Sequence, residues 1–247
     1  MSNIQIDRTE HPHWLSNAYL VVNPQERQGV LIDGNGVSDP LLQRIDRDGV
    51  QIAAIFLTHH HADHVEIDAY QRLEAPILAH PQTAALMGFD REVRGLADGE
   101  AVDFTGMRIE ALYTPGHAAD HVSYLVEGSD CFTGDVLFRG TVGGTLGPSG
   151  SDLNVLRRSI ERLLALPPET RLHPGHREPT TVAEEIANNP FVGAFRGDVA
   201  LTAEPCTVRG EPAELLLWGP DYDGTNKAWV RLAGVDHIVG GSQVLRR

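Results

Sequence analysis

Seven side chains in this chain are of types that bind metal and fall at spacings that let them converge. Four lie in one string, Thr58-His59-His60-His61-Ala62-Asp63-His64, at His59, His61, Asp63 and His64. The others are His117, Asp135 and His176. The string follows the apolar run Ile52 to Leu57, which reads as a buried strand, so the cluster falls where a strand gives way to a loop. Alternation along a strand puts His59 and His61 on one side and turns His60 away. Asp63 and His64, past the bend, can serve a second ion. Titratable groups at a buried strand end cost heavily in desolvation unless a cation sits among them.

The later ligands occupy similar positions. Thr114-Pro-Gly-His117 follows an alternating strand, Thr133-Gly-Asp135 ends an apolar one, and His173-Pro-Gly-His176 repeats the Pro-Gly-His pattern. Imidazole and carboxylate suit Zn(II), with Fe or Mn as alternatives. The expectation is two ions: His59, His61 and His117 hold one, Asp63, His64 and His176 the other, and Asp135 bridges. Each keeps a position for water. A metal lowers the pKa of bound water from about 15.7 towards about 7, giving a hydroxide nucleophile at neutral pH. Asp63 and Asp135 are also the candidates to orient it. Closed structural zinc sites usually use cysteine, which weighs against a metal-stabilised scaffold.

The remaining candidates are less pointed. His121 reads as a group supporting the ligands from behind. Arg139 and Arg177, beside ligand-bearing loops, are candidates to meet an anionic substrate. Gly143 and Gly144 belong to a glycine-rich loop, Gly140 to Ser151, that reads as a substrate-facing lid or a plain connector. Tyr113 and Tyr124 read as core residues, His80 and His173 as packed or functional, and His11, His13 and His237 as surface or loop residues.

Composition bounds the rest. The 247 residues are 41% hydrophobic, 6% aromatic and carry a net charge of -14. That charge, without a clustered basic surface, argues against nucleic acid as a partner. Cys131 and Cys206 form no disulfide framework, and Cys131 reads as a small core residue. The N-terminus has no secretory pattern and no apolar stretch reaches the roughly 20 residues of a membrane helix, so the expectation is a cytoplasmic protein without membrane contact.

The elements that must position the ligands run in order. Asn17 to Val22 and Gly29 to Asp33 read as a strand pair. A helix capped at Ser38 or Asp39 runs to about Asp48 with Leu41, Leu42 and Ile45 inward. After the strand ending at Leu57, a helix is expected from Asp63 to about Leu73, a strand at Ile77 to Ala79, and a helix at Pro81 to Met87 closed by Gly88. Met107 to Tyr113, Val122 to Val126 and Cys131 to Thr133 read as strands. Leu153 to Leu166 reads as an amphipathic helix with Leu156, Ile160, Leu163 and Leu164 on one side, Arg171 to Gly175 as a strand and loop, and Thr180 as the cap of a helix to about Asn189. This order predicts an α/β (α+β) fold, a four-layer αββα sandwich over residues 1–200. Residues 201–247, with strands at Ala213 to Trp218, Lys227 to Leu232 and His237 to Val239, read as a small β appendage.

With these motifs in hand, the chain resembles the metallo-β-lactamase superfamily and, within it, the glyoxalase II-like (hydroxyacylglutathione hydrolase-like) hydrolases, over about residues 14 to 192. The resemblance implies an αββα sandwich with a binuclear site at one edge and the ligand roles given above. Aspartate at position 135, where the best-known zinc β-lactamases carry cysteine, points away from antibiotic hydrolysis. Two stretches differ from glyoxalase II: Leu137 to Thr145 after the Gly-Asp motif, and the β tail in place of a helical domain. The expected activity is a thioesterase acting on a small acyl-thiol substrate by metal-hydroxide attack on the carbonyl. The alternatives are persulfide dioxygenation on one iron held by His59, His117 and Asp135, and lactone hydrolysis on the same centre.

Overall fold

A computed structural model describes residues 4–87, 91–104, 106–147 and 152–246. The chain divides into two compact units: 1–113 with 120–134 and 175–177, and 114–119 with 135–174 and 178–247.

The first unit is built on two sheets. One runs Gln5–Glu10, Asn17–Asn23, Gln28–Ile32, Gln51–Phe56, Ile77–Ala79, Val93–Gly95. Its first three strands form antiparallel hairpins; from Gln28–Ile32 onward the pairing is parallel. Parallel neighbours end at the same edge, and Ile32 is in register with Phe56. The residues that follow those two strands, Asp33 and Thr58-His59, are therefore delivered side by side. In the other sheet Ala101–Phe104, Met107–Tyr113, Val122–Val126 and Asp130–Gly134 follow one another antiparallel.

Alternating apolar residues from both sheets interleave into one core. Tyr19 meets Phe132 edge-on, with ring centroids 5.0 Å apart, and Phe56 meets Tyr124 at 5.0 Å. The opposite residues of the first sheet, Leu20, Leu31 and Ile55, pack with Leu41, Leu42 and Ile45 of helix α1 (Asp39–Asp48). Apolar spacing of three and four gives α1 its inward stripe, Pro40 starts it, and Gly49 in the left-handed region ends it. Helix α2 is short, Thr83–Met87, and starts later than expected; Gly88 lies outside the described residues.

One expected element is different. Residues 63 to 73 do not form an α-helix: Val65–Glu66 pairs in parallel with Gly34–Asn35, and Asp68–Leu73 is a 3-10 turn. The Gly34 amide donates to the His64 carbonyl at 2.8 Å, so the backbone here is committed to a ladder instead of a helix.

In the second unit α3 (Leu153–Leu164) is capped by Asp152, whose side chain accepts from the Val155 amide at 2.9 Å. It buries Leu153, Leu156, Ile160 and Leu163; Leu164 is only half-buried and the helix stops there, ahead of Pro167. Helix α4 (Val182–Asn188) is capped by Thr181, not by Thr180. Thr180 instead donates to Glu185 at 2.7 Å. Helix α5 (Pro190–Arg196) starts on Asn189.

The chain ends in a five-stranded antiparallel sheet ordered Val235–Gly240, Asn226–Leu232, Glu211–Pro220, Glu204–Val208, Val244–Arg246. Sequence patterning shows the middle three of these in chain order and misses Glu204–Val208 and Val244–Arg246. The two edge strands are joined by Gly241–Gln243, which reach only about 10 Å even when extended. The sheet therefore curls on itself, closing over Cys206, Val208, Leu215, Ala228, Val230 and Val239, with Leu146 packed against them. His237 lies within a strand, as the patterning of residues 237–239 predicts.

Candidate metal centre

In the first unit, Asp63, His64 and His176 come together with one potential ligand atom each, all within 4.8 Å. Asp63 Oδ2 lies 3.5 Å from His64 Nε2 and 3.5 Å from His176 Nε2. His176 owes its place to backbone pairing: it bridges Ser16, and the Asn17 amide donates to the Gly175 carbonyl at 2.7 Å. His59 and His61, which alternate along the extended string, bring Nε2 and Nδ1 to 3.0 Å.

A carboxylate absent from the sequence reading organises these imidazoles. Asp33, buried at the end of Gln28–Ile32, accepts from the Thr58 amide at 2.7 Å, from Thr58 Oγ1 at 2.8 Å and from His64 Nδ1 at 3.1 Å. With its proton given to Asp33, Thr58 Oγ1 accepts from His59 Nδ1 at 3.0 Å. One carboxylate thus sets the Nδ1–H tautomer of His59 and His64 and puts their lone pairs on Nε2. Burial, the largest influence, pushes the Asp33 carboxyl above its ordinary range; the His64 and Thr58 bonds pull it down. The only sequence signal was an Asp-Gly pair after an apolar strand, which also describes any turn.

His60 turns away, as alternation requires: its Nδ1 donates to the buried Asp120 at 2.8 Å, and Asp120 also accepts from Thr83 Oγ1 at 2.9 Å. His121 is buried with its ring centroid 5.0 Å from that of His59. A side chain at position 134 would meet His121 Nε2 at 2.4 Å, so Gly134 is what leaves that ring room. His80 stacks on Tyr113 with centroids 4.8 Å apart, and the Tyr124 hydroxyl donates to the Leu57 carbonyl at 2.8 Å inside the core. Arg177, named for substrate, pairs with Glu10 at 3.1 Å, and its carbonyl accepts from Asn17 at 2.8 Å. These contacts tie the His176 segment to the N-terminal hairpin.

In the second unit His117 and Asp135 form a pair, Nε2 to Oδ2 at 3.6 Å. His117 Nδ1 donates to the Gly144 carbonyl at 2.9 Å, again placing the lone pair on Nε2. Gly116 has φ +129, and a Cβ there would sit 2.3 Å from Leu156 Cα; only glycine lets this loop lie against α3. Gly143 is similarly forced: its Cβ would fall 2.0 Å from the Asp135 carbonyl oxygen. Gly143 thus seats the Asp135 backbone, and Gly144 contributes its carbonyl to His117. Arg139 is exposed.

The lid expectation is corrected for residues 141–146. The Thr145 amide donates to the Ile238 carbonyl at 2.8 Å, and the Ile238 amide donates back to Thr145 Oγ1 at 2.9 Å. Residues 148–151 lie outside the described residues. Cys131 is buried and its thiol is pushed up to about 12, chiefly by that burial, so it is no nucleophile. Among the described residues no helix is long and apolar enough to cross a membrane.

The family model described as "Metallo-beta-lactamase superfamily" matches residues 12–176. A hydroxyacylglutathione hydrolase of Chromohalobacter salexigens is 31% identical over 168 residues, 67% of this chain but only 64% of the relative, so the match spans less than two thirds of that protein. The crystal structure of ETHE1 from Myxococcus xanthus superposes with a TM-score of 0.70 at 30% identity, covering 77% of this chain and 85% of that one. The crystal structure of TTHA1623 in a di-iron-bound form gives 0.64 at 37% identity, covering 75% of this chain and 99% of that one.

Proposed function

The chain belongs to the metallo-β-lactamase superfamily, with its α/β sandwich fold and metal-dependent hydrolase relatives, and from that premise we propose a binuclear, glyoxalase II-like thioesterase acting on small acyl-thiol conjugates. His59, His61 and His117 would hold one ion and Asp63, His64 and His176 the other, with Asp135 as the shared ligand. The donor atoms of Asp63, His64 and His176 all lie within 4.8 Å of one another, which supports the second of these sites.

The observation that carries the reading is the spacing of donors. Asp63 Oδ2 stands 3.5 Å from two imidazole nitrogens, and His117 Nε2 stands 3.6 Å from Asp135 Oδ2. Those gaps are long for charge-assisted hydrogen bonds, which close to about 2.7–2.9 Å. They are close to the roughly 3.3–3.5 Å that tetrahedral bonds of about 2.0–2.1 Å leave between ligands. Two Zn(II) suit this donor set, with Fe or Mn as alternatives; the di-iron form of TTHA1623 supports two-ion occupancy.

When bound, such ions supply Lewis acidity that acidifies water and polarises a carbonyl. The protein's part is positioning. The Asp33 network fixes His59 and His64, and the Gly144 carbonyl fixes His117, in one tautomer, and Asp63, only partly covered, would be placed to orient a water. Thiolate is a good leaving group, so no separate strong acid is required.

The test is a panel of acyl-thiol substrates and lactones, assayed with metal content measured on the same sample. Thioester turnover that falls with chelation and returns with metal is expected. Turnover that survives metal removal overturns the proposal. One iron per chain with oxygen uptake on a persulfide replaces it with dioxygenation.

A further inference from the structure

We infer that the C-terminal sheet is a clamp that sets the His117–Asp135 pair, with Lys227 and Thr145 as positioning residues. The inference rests on the metal-centre reading and assigns a role to the segment after residue 200.

The geometry lies within the second unit. The chain leaving Asp135 forms a small hairpin, Leu137–Phe138 against Thr141–Val142, and continues to Leu146. It carries the Gly144 carbonyl that accepts from His117 Nδ1, and the Gly143 amide donates back to the Val136 carbonyl at 3.2 Å. Any slip of this loop moves both ligands.

Three residues of the C-terminal segment, two in its strands and one in a turn, hold it. Lys227 is 5% exposed, an unusual place for an ammonium group. Its Nζ donates to the Val142 carbonyl at 3.0 Å, pairs with Asp221 at 3.0 Å and lies over the rings of Phe138 and Tyr222 at 5.4 and 5.1 Å. Ile238 is bonded in both directions to Thr145. Arg209 donates to the Leu146 carbonyl at 3.2 Å. An appendage that served only itself would keep its lysine in water and satisfy its edge strand internally. This one spends a buried cation and an edge-strand amide on either side of Gly144.

The test is metal binding, not turnover. Full-length protein is stripped of metal and titrated with Co(II), read by visible absorption and calorimetry, with thermal unfolding of the metal-free forms in parallel. The variants are Thr145→Val, which keeps the side-chain volume but removes the acceptor for Ile238, and the pair Lys227→Met with Asp221→Asn, which removes both buried charges together. Arg231→Met, on the exposed face of the same sheet, is the control.

The parent is expected to take two equivalents. Thr145→Val and the double variant are expected to keep one with parental affinity and weaken the other by about tenfold or more. Adding Thr145→Val to His117→Ala should then cost nothing further. A parent that takes no metal overturns the metal-centre reading and this inference with it. A parent that takes two, with Thr145→Val weakening neither or both alike, overturns this inference alone; if the double variant does not fold, Thr145→Val decides.

Discussion

Two groups of ligands in this molecule are held by different means. Asp63, His64 and His176 are set by the first sheet: a buried carboxylate, Asp33, takes three hydrogen bonds at the end of a parallel strand, and main-chain pairing fixes His176. His117 and Asp135 hang on loops, with a neutral carbonyl behind the imidazole and a glycine packed against the carboxylate's backbone. A charged acceptor in a dry place gives a strong, rigid hold, whereas a loop carbonyl is only as fixed as whatever holds the loop. The first group is a property of the sheet; the second depends on its neighbours in the chain.

Replacing Asp33 breaks the first group most severely. Asp33→Ala leaves the Thr58 amide, the Thr58 hydroxyl and His64 Nδ1 without their acceptor, and we expect a loss of about 3 kcal/mol or more in chemical denaturation. Metal affinity at Asp63, His64 and His176 should fall with it, and so should affinity at the other site through His59, whose tautomer Asp33 sets by way of Thr58; an unchanged unfolding midpoint would show that water replaces the carboxylate.

Gly143→Ala tests the second group. A Cβ 2.0 Å from the Asp135 carbonyl cannot be accommodated without moving that backbone. Thioester turnover is expected to fall about a hundredfold, as misplacements near 1 Å do, while binding at Asp63, His64 and His176 stays parental. Equal loss in both groups would show that the two are held alike.

Smaller effects sharpen it. Arg177→Met removes a partly exposed ion pair with Glu10 but keeps the carbonyl that Asn17 uses, so stability should change by less than about 1 kcal/mol and turnover little. A large rise in KM would restore Arg177 as a substrate contact. Smallest of all, native protein at neutral pH should resist alkylation at Cys131, because a thiol pushed up to about 12 has almost no thiolate there. Labelling before unfolding would show that the sheet core opens.

What was legible in the sequence follows the same division. Apolar runs such as Ile52 to Leu57 and the alternation of Met107 to Tyr113 betray strands because burial repeats along them. The ligand string stood out because nothing else explains it. Asp33 stayed hidden, since one carboxylate after a strand has the signature of a turn and its importance lies in long-range partners. The 63 to 73 segment is not legible because its apolar and polar residues suit a helix, while the ladder to Gly34–Asn35 that overrides it is non-local. Lys227 gave no sign, because a lysine in an alternating strand reads as the wet face.

The Ser16–His176 bridge has a consequence for how the protein is made. The two residues are 160 positions apart, so the segment carrying Ser16 is synthesised well before the one carrying His176. A nascent chain can build the hairpins and bury Asp33 early, yet it holds only Asp63 and His64 of that group until the Pro-Gly-His turn emerges and docks beside Ser16. Ion capture there is then a late event in biosynthesis, set by closure of a very long loop, and cannot seed the fold that surrounds it.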